Sequence, residues 1–155
     1  MPYRRFDWHT HIKVVCGEYR SARVAVDRLR SAVAATPDLL KNDEVAREYL
    51  RRADENLDGT YIVRLFAAFE AALRSYARAK HNEPHRDTKA AVLIDEIGGK
   101  RGRGIQPDIR QRAHDVRRVR NFWAHEEDAV PAPMTVDEAR ARLQAYLAEL
   151  PDEWG

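Results

Sequence analysis

An arginine and a histidine stand five positions apart near the end of a basic helical segment, in the stretch RRVRNFWAH of residues 117 to 125. The guanidinium of Arg120 is always charged and matches phosphate oxygens bidentately, so it can hold a phosphodiester and stabilise charge that builds on it. An imidazole can take or give a proton near neutral pH, which suits His125 to general acid or base catalysis. These two side chains are the groups that RNA cleavage without a metal requires.

The charge around this pair is strongly basic, although the whole chain carries a formal net charge of only +2. Between positions 100 and 120, eight Lys and Arg stand against two acids. Such a segment can bind a polyanion, and the pattern marks candidate RNA-binding residues at Lys100, Arg101, Arg103, Arg117 and Arg118. The alternative is that charged helix faces pair with one another inside the protein.

Length and composition indicate one domain that spans residues 1 to 155 and buries its own core. An apolar fraction of 44% with 34% charged residues is typical of a soluble globular protein rather than a disordered one. Cys16 has no second cysteine to pair with, and the amino terminus does not resemble a signal peptide, so a cytoplasmic location is expected. No stretch approaches the roughly 20 apolar residues of a membrane-spanning helix, which predicts no membrane partner.

Apolar periodicity predicts an all-α fold, a five- to six-helix up-and-down bundle. The predicted helices cover about 18 to 35, 43 to 54, 61 to 80, 87 to 97, 107 to 125 and 135 to 150, while residues 1 to 17 are of uncertain form. The triplet Asp58-Gly59-Thr60 is predicted to separate the second helix from the third. Pro107 fits the first turn of the fifth helix, and Thr135 with Glu138 forms a capping box that opens the last one.

The run Arg120-Asn121-x-x-x-His125 resembles the signature of the HEPN superfamily, which comprises helical-bundle ribonucleases and their inactive relatives. Two further segments carry the resemblance. YIVRLFAAFEAAL at 61 to 73 looks like the long central helix of bacterial HEPN proteins linked to toxin and defence systems, and AYLAELPDEW at 145 to 154 is similar to their last helix and tail. The resemblance covers roughly residues 57 to 153.

This resemblance implies a homodimer in which two copies of Arg120 and His125 surround one phosphate, with Asn121 as a polar aid to positioning. The implied reaction is attack by a ribose 2′-OH on its own phosphodiester, with no cofactor and no metal. Glu70 would orient Arg120 or His125 without contacting the substrate, or would simply form an ion pair with Arg74 four residues later. RNA is the expected partner, and an antitoxin or another defence-system protein is a further one. Toxins modified by a nucleotidyltransferase antitoxin carry a tyrosine where this chain has Glu127, so that modification is not expected.

The same residues are compatible with simpler interpretations. Arg120 and His125 could be ordinary helix-end residues that interact favourably with the helix dipole. The chain could then be a catalytically silent HEPN-like module that binds RNA or protein, or a plain helical interaction protein. Asp7, His9 and His11 alternate as strand-borne metal ligands would, although no second ligand cluster accompanies them.

Overall fold

Five α-helices and one short 3₁₀ turn make up the parts of the chain that the computed structural model describes, residues 3–99, 104–125 and 130–154. The helices are α1 (Arg5–Ala35), α2 (Glu44–His81), α3 (Ala90–Ile97), α4 (Pro107–His125) and α5 (Val136–Ala148), and the 3₁₀ turn (Pro37–Leu40) lies between α1 and α2. Within these ranges the only β-type pairing is an isolated bridge between Arg4 and Glu153. The prediction of an all-α fold is confirmed.

Contacts between side chains fix the directions of the helices. Glu18 of α1 meets Arg64 of α2 at 2.5 Å, and Arg30, further along α1, meets Asp54, which lies earlier in α2, at 2.6 Å. The two helices are therefore antiparallel, and 1.5 Å of rise per residue makes them about 45 Å and 55 Å long. Arg5, at the start of α1, donates to the Ala148 carbonyl oxygen at the end of α5 at 2.7 Å, and Arg20, further along α1, meets Asp137 at the start of α5 at 3.4 Å. Helix α5 therefore also runs antiparallel to α1.

The hydrophobic core lies between the first half of α1, the second half of α2 and the three later helices. Its largest fully buried side chains include Phe66, Phe69 and Tyr146, and the Phe69 and Tyr146 rings pack edge to face with centroids 5.3 Å apart. The Tyr146 hydroxyl donates to the Ile94 carbonyl oxygen at 2.7 Å, which ties α5 to α3. None of the helices in the described ranges is both long and apolar enough to cross a bilayer.

The amino-terminal segment differs from its prediction. Residues 5 to 17 belong to the first half of α1 rather than to a segment of uncertain form, so the alternating Asp7, His9 and His11 lie on a helix and not on a strand. The reason is the spacing of the buried residues Trp8, Ile12, Val15 and Cys16, which places them on one helix face against the core, while Val14 is exposed.

The predicted break at Asp58-Gly59-Thr60 is wrong, because α2 is continuous from Glu44 to His81 and two predicted helices are one. Gly59 is buried in this helix, where it makes room for Trp123 of α4: a Cβ atom built at Gly59 would lie 2.1 Å from the Trp123 Cδ2 atom. The glycine serves a close helix contact here, at the intrinsic cost that glycine carries in a helix.

The local signals at helix ends fare better. Asp43 caps α2 by accepting from the Ala46 N–H at 2.8 Å, and α4 begins at Pro107 as predicted. The capping box of Thr135 and Glu138 is present at the start of α5. Helix α3 begins at Ala90, three residues later than predicted.

Candidate active site

A cleft of about 300 Å³ lies where the end of α4 meets the middle of α2 and the start of α3. Helix α2 contributes one wall, with Phe66, Glu70 and Arg74, and the residues around the start of α3 contribute another. The described residues that line it are Phe66, Glu70, Arg74, Lys89, Ala90, Ala91, Arg117, Arg120, Asn121 and His125. The motif residues predicted to do chemistry therefore share one cleft.

Two contacts with α2 and one within α4 hold the guanidinium of Arg120 in place. Its Nη2 lies 3.5 Å from Glu70 Oε2, and its Cζ lies 5.5 Å from the centroid of the Phe66 ring, within cation–π range. Its Nη1 donates to the Asn121 side-chain oxygen at 3.0 Å. The side chain is 26% exposed, so the charge is fixed in place but still open to a ligand in the cleft.

Glu70 is the only carboxylate that lines the cleft within the described ranges, and it is shared by two arginines. Arg74 Nη2 donates to Glu70 Oε1 at 2.8 Å, while the other oxygen faces Arg120. The hydrogen bond to Glu70 is the main cause that raises the pKa of Arg74 above its ordinary value, and a second contact to Asp87 acts in the same direction. The sequence predicted that Glu70 pairs with Arg74 or lies close to the motif arginine, and Glu70 makes both contacts. Its role in catalysis stays a prediction.

His125 is the last residue of α4 and is exposed. Its Nε2 lies 3.5 Å from Arg120 Nη1, at the outer limit of a hydrogen bond. Five helical positions correspond to about 500°, which puts the two Cβ atoms well apart around the helix. The length of the arginine side chain closes that gap, so the two groups meet within one protomer without any distortion of the helix end.

The candidate RNA-binding residues divide into three groups. Arg117 lines the cleft. Arg118 does not; it pairs with Asp115, which also accepts from Arg142 of α5 at 3.3 Å, so the pairing of charged helix faces accounts for this residue. Lys100, Arg101 and Arg103 lie outside the described residues, as does the acidic run 126 to 128 that follows the motif.

Two features of the site could not be found by motif reading. Lys89 enters the cleft from a position remote in sequence from the motif and carries no local signal of its own, whereas Arg74 was predicted only as the partner of Glu70. Trp123, within the motif run, packs on Gly59 and so anchors the end of α4 to α2. The signal available for this last contact was a glycine inside an otherwise helical apolar pattern, which marks close packing as readily as a break.

The residues considered for other chemistry take structural positions. Asp7, His9 and His11 belong to helix α1, and no group of three His, Cys, Asp or Glu side chains in the described ranges could hold a metal ion. Cys16 is buried, and burial is the main cause that raises the pKa of its thiol.

No protein-family model, curated protein or solved structure matches this chain. The resemblance to the HEPN superfamily therefore depends on the motif run and on the two segments at 61 to 73 and 145 to 154 alone. The arrangement itself consists of a guanidinium for a phosphate, an imidazole 3.5 Å away that can move a proton, and a carboxylate that fixes the guanidinium.

Proposed function

We propose that this chain is an endoribonuclease of HEPN type that cleaves RNA without a metal, with Arg120 and His125 as its catalytic residues. The observation that carries the proposal is the 3.5 Å contact between Arg120 Nη1 and His125 Nε2 at the wall of an open cleft. A phosphate bound by this arginine would lie within reach of the imidazole, which is the geometry that proton transfer requires.

In the proposed reaction, a ribose 2′-oxygen attacks the adjacent phosphorus while the bond from phosphorus to the 5′-oxygen breaks. A base accepts the proton of the 2′-OH, and an acid supplies a proton to the departing 5′-oxygen. The products are a 2′,3′-cyclic phosphate and a 5′-OH. Arg120 stabilises the charge on the phosphate oxygens, and Glu70 with Asn121 keeps its guanidinium oriented.

The proton transfers are the reason that a homodimer belongs to the proposal. The reaction needs a base and an acid on opposite sides of the phosphate, whereas the described residues of one protomer's cleft include a single imidazole. A second copy related by a twofold axis would add another His125 and another Arg120. The exposed position of His125 at the very end of α4 is compatible with such an approach. A toxin or defence role, with an antitoxin or similar protein as partner, follows from the resemblance alone.

The test is cleavage of a mixed RNA pool in EDTA by the wild type, Arg120→Ala and His125→Ala, with the ends of the products mapped. A matched control is Arg112→Ala, which removes an exposed arginine of the same helix that pairs with Asp108 at 3.4 Å. Cyclic phosphate ends from the wild type and the control, with loss of at least about a hundredfold in both motif variants, would support the proposal.

Two outcomes would contradict it. Equal cleavage by all four proteins would indicate a contaminating nuclease. RNA binding without cleavage would favour the silent binding module, in which Arg120 is held by Glu70 and Phe66 for structural reasons only.

A further inference from the structure

Arg117 and Arg120 lie three positions apart on α4 and line the same cleft. Residues at this spacing share a helix face, with Cβ atoms about 5 to 6 Å apart. Their surroundings differ, because Arg120 faces Glu70 while Arg117 has no carboxylate partner among the described residues. The Arg117 Nε is buried and makes no hydrogen bond within that part of the chain. Arg117 therefore lines the cleft with a guanidinium whose charge no carboxylate of the described residues offsets.

Lys89 borders the same cleft from the start of α3. It is exposed, and no carboxylate of the described residues lies within ion-pairing distance of its ammonium group. The next two residues, Ala90 and Ala91, also line the cleft, and their small side chains leave this wall accessible. Within the described ranges, two cations without an acidic partner therefore line the cleft, one immediately before α3 and one on α4.

The charges of the described residues that line the cleft do not balance. Four cationic side chains, Arg74, Lys89, Arg117 and Arg120, surround one carboxylate, Glu70, which already faces Arg74 and Arg120. Arg74 also pairs with Asp87, so Glu70 and Asp87 together offset Arg74 and Arg120. The remaining positive charge belongs to Arg117 and Lys89. A site that concentrates cations of this kind attracts phosphate groups, since a guanidinium fork matches phosphate oxygens and lysine adds a point charge.

We infer that Arg117 and Lys89 form a second phosphate subsite, which holds the phosphate next to the scissile one in single-stranded RNA. The inference rests on the proposed function for its substrate and adds a defined place for the flanking backbone. One helical turn separates Arg117 from Arg120, a distance comparable with the spacing of successive phosphates along a strand. The subsite distinguishes a polymer from a dinucleotide, because only a longer strand offers a second phosphate.

A binding measurement tests the subsite independently of cleavage. The probe is a short fluorescein-labelled single-stranded oligodeoxynucleotide, which lacks the 2′-OH and cannot react by the proposed route. Anisotropy titrations across a range of salt concentrations give the slope of log K against log salt, whose magnitude falls by about 0.7 for each phosphate of a single strand that the protein no longer neutralises. Arg117→Gln is expected to reduce the magnitude of this slope by about 0.7. Lys89→Gln is expected to reduce it as well.

Two further variants act as controls. Arg117→Lys keeps the charge and should keep most of the slope, which separates a phosphate contact from a packing effect. Arg112→Gln removes an ion-paired arginine elsewhere on α4 and should leave the slope unchanged. Thermal melts of all variants establish that each is folded before its slope is compared.

Cleavage gives the second measurement. The ratio of kcat/KM for an oligoribonucleotide to that for a dinucleotide should fall roughly tenfold in Arg117→Gln, as expected when one charge-assisted hydrogen bond to the substrate is removed. Unchanged slopes in both Arg117→Gln and Lys89→Gln would overturn the subsite, even if the wild type cleaves RNA. Changed slopes in a protein that cleaves nothing would overturn the nuclease proposal and leave the subsite standing. Failure of the wild type to bind the probe at low salt would overturn the subsite directly.

Discussion

Replacing Gly59 with alanine should destabilise this protein, although the same change at Gly17 should stabilise it. Both glycines lie inside long helices, where alanine is intrinsically better than glycine by about 1 kcal/mol. A Cβ atom at Gly17 would meet nothing within 4 Å, so Gly17→Ala should keep that gain. The melting temperature should then rise by about 2 to 4 °C, the shift that 1 kcal/mol produces in a chain of this size.

At Gly59 the same Cβ atom would lie 2.1, 2.4 and 2.6 Å from the Cδ2, Cε2 and Cε3 atoms of Trp123. Three atoms of a rigid ring are involved, so the indole must shift as a whole or leave α2. Overpacking of this kind typically costs about 1 to 3 kcal/mol, which exceeds or cancels the intrinsic gain. We therefore expect Gly59→Ala to unfold at lower temperature than Gly17→Ala by several degrees, with a free-energy difference of about 1 to 3 kcal/mol between them.

The assay is urea unfolding followed by circular dichroism, and a double-mutant cycle identifies the cause. In a Trp123→Ala background the ring is gone, so Gly59→Ala should become stabilising by about as much as Gly17→Ala. Stabilisation by Gly59→Ala in the wild-type background would refute the assigned role of the glycine. So would a destabilisation that persists after Trp123 is removed, because the cost would then arise from some other contact.

Three further predictions concern a cap, a buried hydroxyl and the candidate site. Thr135→Ala should lower the free energy of unfolding by about 1 kcal/mol in urea titrations. Hydrogen bonds from the backbone N–H and then from the hydroxyl of Thr135 hold the pKa of Glu138 below its ordinary value. The stabilisation by this capping box is therefore present at pH values above the ordinary pKa of a glutamate and is lost as the pH falls through the lowered pKa of Glu138. The gap to the wild type should therefore narrow in acid, and a constant gap would contradict the coupling. Burial and the hydrogen bond to Asp58 raise the pKa of Tyr19 to about 12, so the stabilisation by its neutral hydroxyl is complete below about pH 10 and is lost as the pH rises towards 12. The free energy of unfolding of Tyr19→Phe should therefore depend less on pH in that interval than that of the wild type. Identical alkaline profiles of the two proteins would contradict this role of the hydroxyl. Glu70→Gln should slow RNA cleavage by about tenfold to a hundredfold, because Arg120 is no longer held in its orientation. The same variant should bind an oligonucleotide more tightly, because an acidic charge leaves the cleft. Weaker binding together with slower cleavage would instead indicate that the cleft has collapsed.

Signals confined to one helix turn predicted the fold well. Pro107 and the pair Thr135 and Glu138 act on their own first turns, so their sequence positions determine the ends of α4 and α5. Gly59 misled because its role is a contact with a residue 64 positions away along the chain, which periodicity does not report. The start of α1 was missed because Asp7, His9 and His11 alternate as strand residues do, which obscured the helical spacing of the buried residues Trp8, Ile12, Val15 and Cys16.

In the candidate site too, local signals were predictable and contacts between distant residues were not. The motif predicted where Arg120, Asn121 and His125 would be, and all three line the cleft. The spacing alone could not predict that Arg120 and His125 meet within one protomer, because this depends on the length and rotamer of the arginine. Lys89 could not be found at all, since only the packing of α3 beside α4 brings it to the cleft. The chemical roles of these residues stay predictions.

Burial is uneven along the two long helices, and this makes two levels of local stability. Every buried residue of α1 lies at or before Cys16, and every buried residue of α2 lies at or after Gly59. Beyond those points, polar contacts between exposed or half-buried side chains join the two helices, such as Arg30 with Asp54, and each is worth at most about 1 kcal/mol. Amide hydrogens of residues 44 to 56 should therefore exchange through local opening, while those of 62 to 77 should exchange only when the whole protein unfolds. One uninterrupted helix would thus carry two rates of exchange, with the change between them close to the glycine on which Trp123 packs.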